Sequence, residues 1–214
     1  MWLDCDPGVD DAYAIILAAY TDEFQLIGLS TVIGNASLQT TTNNALKILW
    51  AIGLKDVPVA KGADTWLFRN ATDVTFWDER DTPEWSTGFD CDPVINSAFA
   101  SEHLSPVAGN GISLMYQRIK AQLPQRVSIV ATGPLTNVAL LIKTFPDVKS
   151  AIERVVFMGG SMKAGNVNPS AEANVWCDPE ACEIVLRSGL PVTMVPLDLT
   201  LQVSGVDVFS FTSS

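Results

Sequence analysis

Leu3-Asp4-Cys5-Asp6-Pro7-Gly8-Val9-Asp10-Asp11-Ala12 places four carboxylates within eight residues, between an apolar start and an apolar run. At an effective dielectric of about 20, two like charges about 4 Å apart repel by about 4 kcal/mol. Carboxylates bunched in a partly buried turn must therefore protonate or hold a cation, and a hard divalent ion is the simplest answer. Pro7-Gly8 marks a sharp turn at the end of a short strand. Asp10 and Asp11 then fall in the first turn of a helix, where negative charge is favoured. The alternative is an Asp-rich helix cap on a solvated loop.

Outward from this junction, short apolar stretches alternate with longer segments of helical period, which predicts a parallel sheet with crossover helices. Strands are expected up to Asp4 to Asp6, over Leu26 to Val32, Val57 to Ala60, Val127 to Ala131, Val155 to Met158 and Val192 to Leu197. Helices are expected over Asp10 to Tyr20, Thr40 to Gly53, Ile112 to Leu123, Thr136 to Lys143 and Asp178 to Ser188. The predicted class is α/β: an open, mostly parallel Rossmann-like sheet with helices on both faces. The stretch 63–109 breaks the pattern. It carries Trp66, Trp77 and Trp85 and six acidic residues between Asp78 and Asp92, and reads as an atypical flap or insertion. Val203 to Ser214 reads as a weakly patterned tail.

The chain has 214 residues, 48% of them hydrophobic, enough for one sizeable domain with a large core. Thirteen basic against 24 acidic residues give a net charge of −11. That balance argues against a nucleic-acid backbone or an anionic membrane and favours a metal or a small neutral or cationic ligand. No run approaches the ~20 apolar residues of a membrane span, and no signal-like segment precedes the first strand, so the expected location is cytoplasmic. Cys5, Cys91, Cys177 and Cys182 form no C-x-x-C pair and His103 is the single histidine, which fits neither a zinc site nor a disulfide framework. Reduced, partly buried thiols are expected, and His103 reads as a surface residue.

Ligands of open parallel sheets gather outside the carboxyl ends of the strands. Asp4, Asp6, Asn35, Thr132, Met158 and the Gly159 loop should therefore share one rim. Asp6 and Asp11 could coordinate Ca²⁺, with a carbonyl from the Thr132 turn. Asn166, Asn168, Glu172 and Asn174 form a second polar set, suited to gripping sugar hydroxyls or serving as turn residues.

Together these segments resemble the inosine-uridine preferring nucleoside hydrolase family. The resemblance rests on Asp4-Cys5-Asp6-Pro7-Gly8-Val9-Asp10-Asp11-Ala12, Ser30-Thr31-Val32-Ile33-Gly34-Asn35, Ala131-Thr132-Gly133-Pro134-Leu135-Thr136-Asn137, Phe157-Met158-Gly159-Gly160, and Glu172-Ala173-Asn174 with Asp178-Pro179-Glu180-Ala181. It covers positions 1 to about 65 and 110 to 200. It implies Ca²⁺-dependent hydrolysis of the N-glycosidic bond of ribonucleosides to free base and ribose. The ion would be held by Asp6, Asp11 and the carbonyl of Thr132, and Asp6 would act as general base on a water. Asp10 would bind a ribose hydroxyl with Asn35 beside it and Asn174 opposite. Asn166 and Glu172 would hold the 5′-hydroxyl end, and Met158 would line the pocket. A homo-oligomer is the expected assembly.

The chain departs from the family in two places. The family's C-terminal portion carries a His-Asp pair that has no counterpart here, so the expectation is a single domain over 1–214 that lacks that portion. The family's His-Gly flap is also missing from 63–109, where Trp77 or Trp85 could stack on a base. Two alternatives follow: an inactive nucleoside- or ribose-binding remnant or incomplete gene model, and a haloacid-dehalogenase-like phosphotransferase, which this start resembles only as far as Asp6.

Overall fold

The computed structural model describes residues 1–69, 99 and 104–203. Six strands form one sheet in the order β3-β2-β1-β4-β5-β6, and every neighbouring pair is parallel. They are β1 (Trp2–Cys5), β2 (Leu29–Thr31), β3 (Val59–Lys61), β4 (Val127–Ala131), β5 (Ile152–Met158) and β6 (Val192–Val195). The helices are α1 (Val9–Tyr20), α2 (Leu38–Ala51), α3 (Gly111–Lys120), α4 (Thr136–Thr144), α5 (Ala173–Cys177), α6 (Pro179–Leu186) and α7 (Leu197–Thr200), with a 3₁₀ turn at Pro146–Ala151. The predicted α/β class holds.

The strand order turns around at β1 and β4. Chain excursions from these neighbouring strands leave in opposite directions, which opens a crevice at their carboxyl ends. Asp6 follows β1 and Thr132 follows β4, so the sequence delivers both to that crevice.

One face of the sheet carries the larger core, in which Trp2, Ile129, Phe157 and Met115 are fully buried against α3, α4 and α6. The other face packs Leu3, Cys5, Leu29 and Val59 under Ile15 of α1 and Ala45, Ile48 and Leu49 of α2. Among the described residues this second layer stops halfway. Across the register Leu29–Leu3–Val130–Val156–Thr193, side chains pass from buried Leu29 and Leu3 to half-buried Val130 and Val156 and then to exposed Thr193. The outer side of α1 is also apolar, with Ile16, Leu17 and Tyr20 exposed by 40%, 68% and 63%.

Several boundaries differ from the sequence reading. The strand expected over Leu26 to Val32 is regular only over Leu29–Thr31, although Ile27 N–H still donates to Met1 O and Gly28 O accepts Leu3 N–H ahead of it. The helix expected from Thr40 starts at Leu38, since the Ser37 hydroxyl accepts the Thr40 N–H. The one expected over Ile112 to Leu123 is Gly111–Lys120, capped by Asn110. β5 begins earlier than Val155, at Ile152. The Val192 to Leu197 strand ends at Val195, because Pro196 has no N–H for the ladder and opens α7. Asp178 to Ser188 is helical as Pro179–Leu186, with Asp178 as its cap. Within 63–109, residues 63–69, 99 and 104–109 are described; Trp77, Trp85, Cys91 and His103 lie outside the described residues, as does most of the Val203 to Ser214 tail.

Candidate active site

Asp6 leaves β1 on the sheet face shared with Asp4, and its carboxylate is enclosed by two loops. Its Oδ2 accepts the Asn35 N–H at 2.7 Å, while the Asn35 amide group donates to the Asp6 carbonyl at 3.2 Å. Gly34 and Gly133 press against it so closely that a Cβ at Gly34 would sit 2.0 Å from Oδ2, and one at Gly133 2.6 Å from Oδ1. Oδ1 is buried and has no hydrogen-bond partner. A buried, orphaned carboxylate oxygen costs several kcal/mol unless something positive meets it.

Asp11 reaches the same place from the first turn of α1. Its Oδ2 accepts the Gly8 N–H at 3.2 Å, closing the turn back on itself, and its Oδ1 accepts the Thr132 hydroxyl at 2.5 Å. Asp6 and Asp11 are both almost wholly buried, whereas Asp10, one residue along α1, points to solvent. Burial, compounded by the charge of Asp11, raises the Asp6 carboxyl well above the usual range. Burial and then Asp10 push Asp11 up to about 7. Two carboxylates that resist ionisation together, beside a backbone carbonyl, are an oxygen-only donor set that suits a hard cation. Among the described residues no group of three His, Cys, Asp or Glu side chains converges to hold a metal ion, so a cation here would need backbone oxygen beside the two carboxylates.

That carbonyl is oriented by Asn174, whose amide donates to Thr132 O at 2.8 Å and to Met158 O at 3.1 Å. Asn174 and Met158 thus lie together beside the Thr132 turn. Glu172 is buried and its carboxylate is engaged by backbone: it accepts N–H groups from Gly160 at 2.8 Å, Asn174 at 2.8 Å and Val175 at 3.1 Å. It fixes the start of α5 against the loop after β5. Asn166 is exposed, and its Oδ1 accepts the Ala173 N–H at 2.9 Å. Asn168 caps the turn at Ser170 and Ala171. The sequence reading of these amides as turn residues thus describes much of what they do.

One expectation needs correction. Asp4 does not line the rim: it is fully buried beneath Asp6, bonded through Oδ1 to the Ser30 hydroxyl at 2.5 Å and the Asn137 amide at 2.8 Å. Two-residue strand periodicity puts it on the same face as Asp6 but one pleat deeper. Burial pushes its carboxyl up to about 7. Asn137 was passed over in the sequence, yet it also bonds Thr31 O at 3.0 Å and Ala63 N–H at 2.8 Å, joining three strand ends. Its position at the first turn of a helix entering the crevice was the available signal. Cys5, Cys177 and Cys182 are free and buried, as expected; burial raises the Cys177 thiol to about 12 and that of Cys182 to about 11.

An open parallel sheet with a carboxylate-lined crevice at its switch point defines the class of protein. Residues 1–213 match the model of the inosine-uridine preferring nucleoside hydrolases, and the chain belongs to that family. The pyrimidine-specific ribonucleoside hydrolase RihA of Shewanella woodyi is 43% identical over 206 residues, 96% of this chain and 62% of the relative. The RihA protein of Photobacterium profundum is 40% identical over 205 residues, again 96% of this chain and 62% of the relative. The chain therefore spans about three fifths of the length of these curated relatives. Among solved structures, a plant nucleoside hydrolase, PpNRh1, superposes with a TM-score of 0.78 at 32% identity, covering 100% of this chain and 65% of its own. A purine-preferring ribonucleoside hydrolase from Gardnerella vaginalis gives 0.75 at 32% identity, covering 94% and 61%.

Proposed function

We propose that this site hydrolyses the N-glycosidic bond of ribonucleosides, releasing base and ribose, with Ca²⁺ held by Asp6, Asp11 and the Thr132 carbonyl. The observation that carries this is the buried, unpartnered Oδ1 of Asp6, pressed between two glycines in a family member. Held there, Ca²⁺ would supply positive charge and Lewis acidity for a sugar and a water in the crevice. Asp6 accepts a proton from that water, with Asn35 N–H steadying its other oxygen. Asp10 and Asn35 meet the ribose hydroxyls from one wall and Asn174 from the other. Met158 packs against the ring, and Asn166 and Glu172 close the 5′-hydroxyl end. Cleavage builds positive character on the ribose, so an anionic crevice favours the transition state over the neutral nucleoside.

Curated relatives named as pyrimidine-specific make uridine the first substrate to test. The same reading has the protein acting on a small molecule in the cytoplasm, as a homo-oligomer, without nucleic-acid or membrane partners; no helix among the described residues is long and apolar enough to cross a membrane. Ribose release from uridine, cytidine and inosine is to be measured with Ca²⁺ and with chelator. Turnover that needs Ca²⁺ is expected. Ribose binding by calorimetry without any turnover would overturn the enzyme reading and leave a sugar-binding protein.

A further inference from the structure

The motif Asp178-Pro179-Glu180-Ala181 has no role in the chemistry above, yet its aspartate lies where both walls of the crevice are joined. One wall is the loop Ile33-Gly34-Asn35, which holds Asp6; the other is α5, which carries Asn174. Residues 62–69 run from the end of β3 between them. At the first wall, Ala63 O accepts the Ile33 N–H at 3.1 Å and the Trp66 indole donates to Ile33 O at 3.3 Å. Trp66 is buried there with Val32, Ile33 and Cys177. At the second wall, Leu67 N–H donates to Asp178 Oδ2 at 3.0 Å, and Arg69 donates to Trp176 O at 2.9 Å.

Asp178 is 1% exposed and its two oxygens divide their work. Oδ1 accepts the Ala181 N–H at 3.0 Å, which is all that capping α6 requires. Oδ2 accepts both Leu67 N–H and the Thr136 hydroxyl, the latter at 2.6 Å. Thr136 opens α4 directly after the Thr132-Gly133-Pro134 turn that presses on Asp6. One oxygen therefore ties the 62–69 segment, the Thr132 turn and α5 together. We infer that Asp178 is a positioning residue that sets the gap between the Asn35 and Asn174 walls, and hence the fit of the ribose between them. The sugar part of this inference rests on the function proposed above; the mechanical part does not.

Asp178→Ser separates the two duties, because a serine hydroxyl still caps α6 but leaves Leu67 and Thr136 without their acceptor. Amide hydrogen exchange is to be followed in the ligand-free full chain. Exchange at Leu67 and at Asn35 should both accelerate on the order of tenfold or more, Leu67 through loss of its acceptor and Asn35 through loss of its loop's anchor, while Met115 and Ile119 in α3 stay protected. Thr136→Val, which removes one donor only, should move the same two amides less. If Leu67 accelerates and Asn35 does not, Asp178 is a local cap and the inference fails. In calorimetry, the Asp178→Ser chain should lose about tenfold in ribose affinity. Unchanged ribose affinity would also overturn it. A wild-type chain that binds neither Ca²⁺ nor ribose refutes the proposed function, and the exchange experiment still decides the role of Asp178.

Discussion

Asp6, Asp11 and Asp4 show how three carboxylates from one short motif acquire different environments. Asp11→Ala removes one of the two carboxylates proposed as Ca²⁺ donors and is expected to abolish Ca²⁺ binding in calorimetry; retained affinity would remove it from the ligand set. Asp6→Asn should fold normally, as judged by circular dichroism, and lose turnover. Gly133→Ala should weaken Ca²⁺ binding, since its Cβ would lie 2.6 Å from Asp6 Oδ1. A pH dependence follows from Asp4 and Asp11, both raised from 3.8 to about 7 chiefly by burial. A folded-state value above the unfolded one means the stabilisation is complete below about pH 4 and lost as pH rises through about 7. The cation-free chain should therefore melt higher at about pH 5 than at about pH 8. On the proposed site, where Ca²⁺ would replace the proton at Asp11, the ion should raise the melting midpoint mainly at the higher pH. Equal shifts at both values would show that the ion does not bind these groups.

At the scale of elements, the caps and turns aim the site. Glu172 secures five-residue α5 through two of its own N–H groups and one from Gly160. Glu172→Ala is expected to cost about 1–2 kcal/mol, read as a lower denaturation midpoint, and to loosen Asn174 with it. The buried strands were legible because apolar runs bounded by Gly, Pro and Asp have few other uses. The short α5 and α7 were not, since five or four residues give no period to read, and their starts depend on Glu172 and Pro196 acting within a packed loop. Asn166, Asn168 and Glu172 read as a polar cluster in sequence; that their oxygens are occupied by backbone N–H groups is visible only once the loop closes on itself.

At the scale of the molecule, and among the described residues, the Trp2 face of the sheet is covered except at β6, where Met194 is exposed, and the other face is covered only over β1 to β3. Exposed Leu17 and Tyr20 on α1, with half-buried Val130 and Val156 beyond it, leave an apolar surface larger than isolated side chains would make. The chain is expected to self-associate in light scattering, more strongly as salt screens its net charge of −11. Leu17→Lys should reduce that association without lowering the melting midpoint; unchanged scattering would show that α1 is not involved. The sequence by itself determined the α/β class, the strand-turn-helix junction that bears Asp6 and Asp11, and the family, because local periodicity and a dense run of carboxylates survive without knowledge of neighbours. Only the tertiary structure decided that β1 and β4 lie side by side, that Asp4 is buried while Asp10 is exposed, and that Asn137 and Asp178 join distant segments. Those outcomes depend on contacts between residues as far apart as Asp4 and Asn137, and the burial such contacts create is a property of the packed sheet that no local stretch of chain contains.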